Sequence, residues 1–475
     1  MRKTLVNIFY NAIYQVFLVL VPLITVPYIT GVLGPERYGV YSSVKFTIQF
    51  LMVFCAAAIT YIGTRTIARI KANASHQELT NAFWGLWYIQ AIASAVMIVL
   101  TVLFVAVFKI RYGLFFYLQL PFLVSSMFDI SWFFQGIEEF GRVVLRNTLV
   151  KLSSVALIFL LIKKPGDLWI YMLIMSVSTM IGSFVFWISI RKYVGKPVKH
   201  FYHLKTTMVS IITLIVPQIA TQIYTSLDKP ILGAFQNSAQ VAFYDNSQRI
   251  PTMILGVITS ITIVMMPKMA SSGKEFQKFF VKKSYETTLF LGLLFAIIVA
   301  INTREFVPFF WAPKYAPVAN LMLFSSLTII FIPVGGVFAN QFALATKRDK
   351  DYAVPVVMGA IISLALSFVL YPRFGAAGAT ATVVTTEFLV CLMRIWIVRD
   401  ALDFKYLFKE TPKYLLMALI TAVVGFMMPN FISSAFLDMT VKSLIIMALY
   451  GGLFFLFKFD LNQDVLKLVK KIIRR

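Results

Sequence analysis

The feature that most constrains this chain is a succession of long apolar runs separated by short polar connections, each run near the length a helix needs to cross a bilayer. The first set lies at Val6–Leu33, Val40–Ile62, Ala82–Val107, Leu114–Gln135, Leu149–Ile162, Leu168–Ile190 and Met208–Phe235. The second lies at Val241–Met266, Tyr285–Ile301, Val318–Ala343, Tyr352–Tyr371, Ala376–Val398, Tyr414–Pro429 and Val441–Phe457. A β-barrel would show shorter segments of alternating polarity, so these continuous runs predict helices. The expectation is an all-α integral membrane protein of about fourteen transmembrane helices.

Composition enters at this point because it closes the soluble alternative. With 59% hydrophobic and only 13% charged residues, no water-facing surface of ordinary polarity can be built. The 475 residues are taken up by the spans and their connections, leaving no room for a separate soluble catalytic domain. A formal net charge of +24 would point to nucleic acid in a soluble protein. Here the basic residues instead gather in alternate loops, among them Arg65 and Arg69, Arg142 and Arg146, Arg191, Lys192 and Lys196, Lys282 and Lys283, and Lys347, Arg348 and Lys350. Roughly 32 of the 44 basic residues fall on one side against about 9 on the other, which predicts cytoplasmic N- and C-termini and an even number of crossings. Topology and anionic headgroups explain the charge, so no nucleic-acid partner is expected. The implied setting is an inner or plasma membrane, with membrane lipids as neighbours.

Met1-Arg2-Lys3 and the apolar stretch behind it are too long for a signal-peptide core, which predicts a retained first span. Cys55 and Cys391 both lie inside apolar runs, and neither a disulfide framework nor a thiolate metal site is expected.

An internal repeat organises the runs. Gly39-Val40-Tyr41, opening the second run, aligns with Ala242-Phe243-Tyr244, opening the eighth, and the same register sets Lys45 opposite Gln248, beside Arg249. Gln135 and Arg142 align with Gln341 and Arg348, and Pro165 falls near Pro372. An offset of about 205 residues corresponds to six spans with their connections. The expected layout is a six-helix lobe over residues 1–200, a second over 201–405, and two additional helices with a basic tail over 406–475. Six being even, the lobes share one orientation, as in rocking-bundle transporters.

Charges within spans are the default functional candidates, because each costs about 2.5 to 3.5 kcal/mol to insert. They are Lys45, Asp129, Asp228, Lys229, Asp245, Arg249 and Glu387. Lys45 and Arg249 lie early in spans two and eight, where a cavity between lobes would bring two cations together, an arrangement suited to a pyrophosphate. Snorkelling to the headgroups is the competing explanation for both. Asp228 and Lys229 form a polar pair near the end of span seven, and Asp245 stands four residues before Arg249, the spacing for an ion pair on one helix face. Asp129 and Glu387 lie deeper and are candidates for proton or sodium coupling, with a helix-capping or protonated carboxylate as the alternative. Prolines at Pro22, Pro27, Pro121, Pro217, Pro251 and Pro333 mark kinks, and Gly375-Ala376-Ala377-Gly378-Ala379 marks close helix packing. His76, His200 and His203 lack partners at metal or triad spacing, Glu138-Glu139 reads as a solvated loop face, and no Walker motif is present, so neither catalysis, a metal nor a cofactor is expected. Energy would come from a proton or sodium gradient or the membrane potential.

Several strings carry a family resemblance: Pro22 to Ile29 (PLITVPYI), Val32 to Tyr41 (VLGPERYGVY), Ile130 to Gly136 (ISWFFQG), and Leu227-Asp228-Lys229 followed by Phe243-Tyr244. In this order they resemble the Wzx-type polysaccharide-repeat flippases of the multidrug, oligosaccharidyl-lipid and polysaccharide (MOP) exporter superfamily. The resemblance implies two six-helix lobes around a cavity and an undecaprenyl-pyrophosphate-linked oligosaccharide, the repeat unit of capsule or O-antigen, as substrate. It implies polysaccharide polymerase and chain-length machinery as further partners. Cations on spans two and eight of the related lipid II flippases are thought to hold the pyrophosphate, and Lys45 and Arg249 fall at comparable places. Those relatives carry a further cation in span one, where this chain has Asn7, Asn11, Gln15 and Thr25. A cation-coupled multidrug antiporter, a membrane polymerase and a passive scaffold are the alternatives that sequence leaves.

Overall fold

The computed structural model describes residues 2–73, 76–110, 112–198, 204–270 and 273–462. Among them there is no strand, and ten helical stretches are long and apolar enough to cross a membrane, eleven if the bent pair Thr207–Ile223 and Asp228–Phe235 is one span. The expectations placed on His200, His203 and the tail beyond residue 462 lie outside the described residues, as do the side chains of Asn7, Asn11, Gln15 and Pro217.

The chain divides into two compact units, Met1–Ala242 and Phe243–Arg475. The first begins with α1 (Arg2–Met52), continues through a π-helical turn at Val53–Ala57, and runs on as α2 (Ala58–Asn73) and α3 (His76–Phe108). Three short helices follow, α4 (Gly113–Leu118), α5 (Leu120–Phe128) and α6 (Ser131–Gly136), and then α7 (Phe140–Leu161) and α8 (Leu168–Ile190). The unit ends with α9 (Leu204–Thr225), α10 (Asp228–Phe235) and the opening of α11 (Ser238–Ala270). The second unit takes the rest of α11, then α12 (Lys274–Phe310), α13 (Val318–Ser325), α14 (Thr328–Gly336) and a π-helical segment at Val337–Ala343. It closes with α15 (Asp349–Ile397), α16 (Phe404–Phe408), α17 (Thr411–Met427) and α18 (Ala435–Leu456).

The breaks have local causes. At 51 residues α1 would be roughly 76 Å long if straight, far beyond a bilayer. It turns at Gly34, whose φ of 72° only glycine adopts without penalty, and Pro35 follows with no N–H to continue the ladder. The 49-residue α15 turns in the same way at Gly375, with φ 55°. The span expected at Leu114–Gln135 is a single crossing-length stretch, Gly113–Gly136, made of three helical pieces, because Pro121 restarts the helix at α5 and the extended backbone of Asp129 separates α5 from α6. Span nine, expected over Tyr285–Ile301, is embedded in a helix of 37 residues whose polar ends escape a hydropathy reading.

Each unit has its own core. In the first, Phe83, Trp132, Phe133, Phe134 and Phe186 pack around Ile67 and Leu86. In the second, Tyr285, Phe338, Tyr414, Tyr450, Phe454 and Phe459 form the corresponding cluster. The outward faces are apolar as well: Leu160, Ile188, Leu419, Met427 and Leu456 are each more than 60% exposed, as a lipid-facing surface requires.

Candidate functional site

The broken span formed by α9 and α10 sets the geometry in the first unit. Its 44° bend precedes Asp228, so the Asp228–Lys229 pair opens a new helix and packs against the second half of α1. Both residues are buried, and the Lys229 ammonium lies 3.1 Å from Asp228 Oδ1 and 3.3 Å from Oδ2. The same ammonium sits 4.2 Å from the centre of the Phe46 ring. Lys45, half-buried, places its Nζ 5.1 Å from that ring centre and 5.6 Å from the ring of Tyr41, which itself packs on Tyr171. Lys45, Asp228 and Lys229 are thus gathered around one aromatic side chain and together carry net positive charge. An ammonium over a π-face keeps its charge at lower cost in an apolar medium.

In the second unit Asp245 and Arg249 pair on α11 as their spacing predicts, Arg249 Nη2 lying 3.5 Å from Asp245 Oδ2. Around them Gln248 donates to Ser325 Oγ at 2.7 Å, and Trp311 Nε1 donates to Asn246 Oδ1 at 3.1 Å. Tyr315, between α12 and α13, is fully buried; burial pushes its phenol well above the usual range and the Asp245 carboxylate adds to the shift.

The two deeper carboxylates have different surroundings. Asp129 accepts the backbone N–H of Ser131 at 2.9 Å and its carbonyl accepts from Gln90 Nε2 at 3.0 Å, so it organises the break before α6. Glu387 is buried in the second half of α15, with Arg394 on the same helix as its neighbouring opposite charge. Thr25, in span one, donates to the carbonyl of Val21. Glu138 is exposed as expected, whereas Glu139 accepts the hydroxyl of Tyr193 at 2.6 Å and pairs with Arg142. That hydrogen bond pushes the Tyr193 phenol up.

Two charged clusters on α12 escaped the sequence reading. Toward its C-terminal end, buried Lys442 of α18 bonds Glu305, Asp438 at 2.7 Å and Asn430 at 2.8 Å. Toward its N-terminal end, Lys282 meets Asp460 at 2.8 Å and Glu286 at 3.6 Å, and its ammonium holds the Asp460 carboxyl below the usual range. The i,i+4 spacings of Asp438 with Lys442 and of Lys282 with Glu286 were visible, but Glu305 and Asp460 are far away in sequence. Among the described residues no group of three or more His, Cys, Asp or Glu could hold a metal ion.

Comparison with known proteins gives the arrangement a family. The sequence profile described as "Polysaccharide biosynthesis protein" matches residues 4–273. A protein of Escherichia coli (strain K12) named "Putative O-antigen transporter" is 23% identical over 405 residues, covering 83% of this chain and 96% of its own. One of the same name from Shigella dysenteriae is 21% identical over 386 residues, covering 79% and 95%. The solved structure of the lipid II flippase MurJ in an inward closed conformation superposes with a TM-score of 0.77 at 13% identity, covering 96% of this chain and 99% of that one. An inward-facing MATE family transporter of the MOP superfamily superposes with a TM-score of 0.61 at 13% identity, covering 82% and 98%. The chain is a multi-pass membrane protein. With more than half of its length matched by that profile, the chain belongs to the polysaccharide biosynthesis protein family.

Proposed function

We propose that this protein flips a lipid-linked oligosaccharide across the cytoplasmic membrane by alternating access, as the export step of surface polysaccharide synthesis. The observation that carries the reading is the convergence of Lys45 of α1 and Lys229 of α10 on the Phe46 ring. Asp228 offsets the charge of Lys229 and leaves the cluster one net positive charge, which is costly in a membrane and suits the diphosphate of an undecaprenyl-pyrophosphate carrier. Lys45 and Lys229 of the first unit, buttressed by Asp228, and Arg249 of the second, oriented by Asp245, are the proposed headgroup contacts. Glu387 is the proposed coupling carboxylate for a proton or sodium ion, and Asp129 a second candidate.

In this reading the chain crosses the bilayer fourteen times with both ends in the cytoplasm. The glycine turns in α1 and α15 support that number, since each helix is long enough for two crossings. Six-helix lobes over 1–200 and 201–405 and an appended pair over 406–475 complete the proposal. The names of the E. coli and Shigella relatives and the MurJ-like fold favour a polyprenyl-linked sugar over a drug as cargo.

The test is reconstitution with a labelled polyprenyl-pyrophosphate oligosaccharide and measurement of its exchange between leaflets. The parent protein should accelerate exchange, and Lys45→Ala and Arg249→Ala should each slow it by about tenfold or more, the loss expected for one charge-assisted phosphate contact. Full exchange in both variants removes the site assignment; none in the parent removes the function.

A further inference from the structure

A second pocket lies away from these residues, in the first unit, where α8 ends beside the start of α3. It encloses about 510 Å³ and is lined by Trp84, Trp187, Ile190, Val194, Arg191 and Lys196, with Gly195 and Pro197 at its edge. Its wall is built, not incidental. Trp84 Nε1 donates to the carbonyl of Gly195 at 3.1 Å, and the Gly195 N–H donates to Thr80 Oγ1 at 3.1 Å, which fastens the loop after α8 onto α3. Trp187 is held by its own hydrogen bond to the carbonyl of Phe128 at 2.9 Å and by edge contact with Trp87 at 5.1 Å.

The lining has two exposed cations, two indole faces, two aliphatic side chains and no acid. A soluble anion would use the cations and have no use for the apolar wall. A phosphate at the edge of a bilayer uses both, because indoles favour the headgroup layer and arginine and lysine favour the phosphate. Below the pocket, α8 continues the match: Ile181, Phe184, Val185 and Ile188 are all exposed and recur at three- and four-residue intervals, giving one apolar strip that ends a turn short of Arg191. Headgroup pocket and apolar strip are therefore continuous.

We propose that this pocket binds the phosphate of an anionic bilayer phospholipid, whose acyl chains lie along the exposed face of α8. Such a lipid would brace the loop after α8 against α3, a role separate from the cargo.

The test uses the full-length protein and native mass spectrometry, with phosphatidylglycerol and phosphatidylcholine of identical acyl chains as probes. Each cation near the headgroup layer is expected to contribute about fivefold, so the tightest adduct should favour phosphatidylglycerol by roughly thirtyfold. Arg191→Gln with Lys196→Gln should bring the two lipids to parity. Lys192→Gln, which removes the same charge from an exposed neighbour outside the lining, should leave the preference intact. If the double variant melts early in phosphatidylcholine, each single variant must still lose about fivefold. An unchanged preference in the variants overturns the proposal. So does displacement of the lipid by inorganic phosphate, which would make the site a plain anion site. Displacement by undecaprenyl diphosphate, with slowed leaflet exchange in the double variant, would assign the pocket to the cargo and also overturn it.

Discussion

A lysine over an aromatic ring keeps its charge where the medium penalises ions, and Phe46 serves both Lys45 and Lys229 in that way. The sequence marked each cation as unusual, since hydropathy alone shows a charge inside an apolar run. Their convergence was not legible, because Lys45 and Lys229 are far apart along the chain and no local pattern pairs them. Asp129 shows the complementary lesson: its burial in an apolar run suggested ion coupling, while the coordinates place its carboxylate on the Ser131 N–H, a bond that spacing alone does not reveal. The two roles separate cleanly. If turn-making is its task, Asp129→Asn retains a side-chain acceptor and should leave both melting and leaflet exchange near the parent's. Asp129→Ala should lose about 1 kcal/mol of stability, the ordinary cost of a deleted helix-start acceptor. Thermal unfolding in detergent reads the second effect; exchange abolished in Asp129→Asn, with melting unchanged, would establish coupling instead.

Helices and their breaks were legible to different degrees. Runs such as Leu168–Ile190 match their helices closely because a purely apolar span announces both ends. Where a helix continues beyond the apolar region, as α12 does, hydropathy sees only the middle. The ends of α12 are where it is fastened to its neighbours. Glu286 and Glu305 lie roughly 28 Å apart along the helix, close to the thickness of the hydrocarbon core. Each therefore sits near an edge of that core and bonds a cation; Lys442 of α18 ties to α12 at one level, and Lys282 of α12 reaches Asp460, just beyond α18, at the other. Between them Tyr450 donates to the carbonyl of Phe290 at 3.0 Å and Asn302 donates to Ser443 Oγ at 3.2 Å; the apolar contacts around these bonds have no hydrophobic drive in lipid. Lys442→Met would leave Glu305 and Asp438 without their shared cation, both largely buried, and should cost about 3 kcal/mol. Lys442→Arg should recover most of it. The measurement is the melting temperature in detergent together with protease sensitivity of the loop at residues 428–434; a Met variant that melts like the parent would mean that the hairpin is held without the Lys442 cluster.

At the scale of the molecule, two arginines that the expected repeat aligns make comparable ties, one in each unit. Arg142 pairs with Glu139, which also holds Tyr193 beyond the end of α8; Arg348, its repeat partner, pairs with Asp351 and reaches Asp400 beyond α15 at 2.8 Å. In both, an arginine at the end of a broken span ties back to the loop two helices later, and the Arg348 hydrogen bond holds the Asp400 carboxyl below the usual range. The offset was readable from sequence because the arginines are conspicuous; the ties were not, because Tyr193 and Asp400 play equal parts with unlike chemistry. What sequence fixes least directly is sidedness, since it rests on loop charge and an even number of crossings, and one miscounted helix would reverse every loop beyond it. The proposed fourteen crossings make a sharp prediction here. Both native cysteines, Cys55 and Cys391, are buried, so a Cys55→Ala, Cys391→Ala background is a modest change on which to place single reporters. Cysteine at Lys192, Lys347 or Lys409 should react with an impermeant maleimide only after the membrane is opened, and cysteine at Lys164 or Lys314 should react in intact cells; all five positions are exposed. Because Lys192 and Lys314 are separated by the bent α9–α10 pair, α11 and α12, opposite labelling of these two requires that the bent pair cross the membrane once. Labelling from the same side would make that pair re-entrant and lower the number of crossings to thirteen.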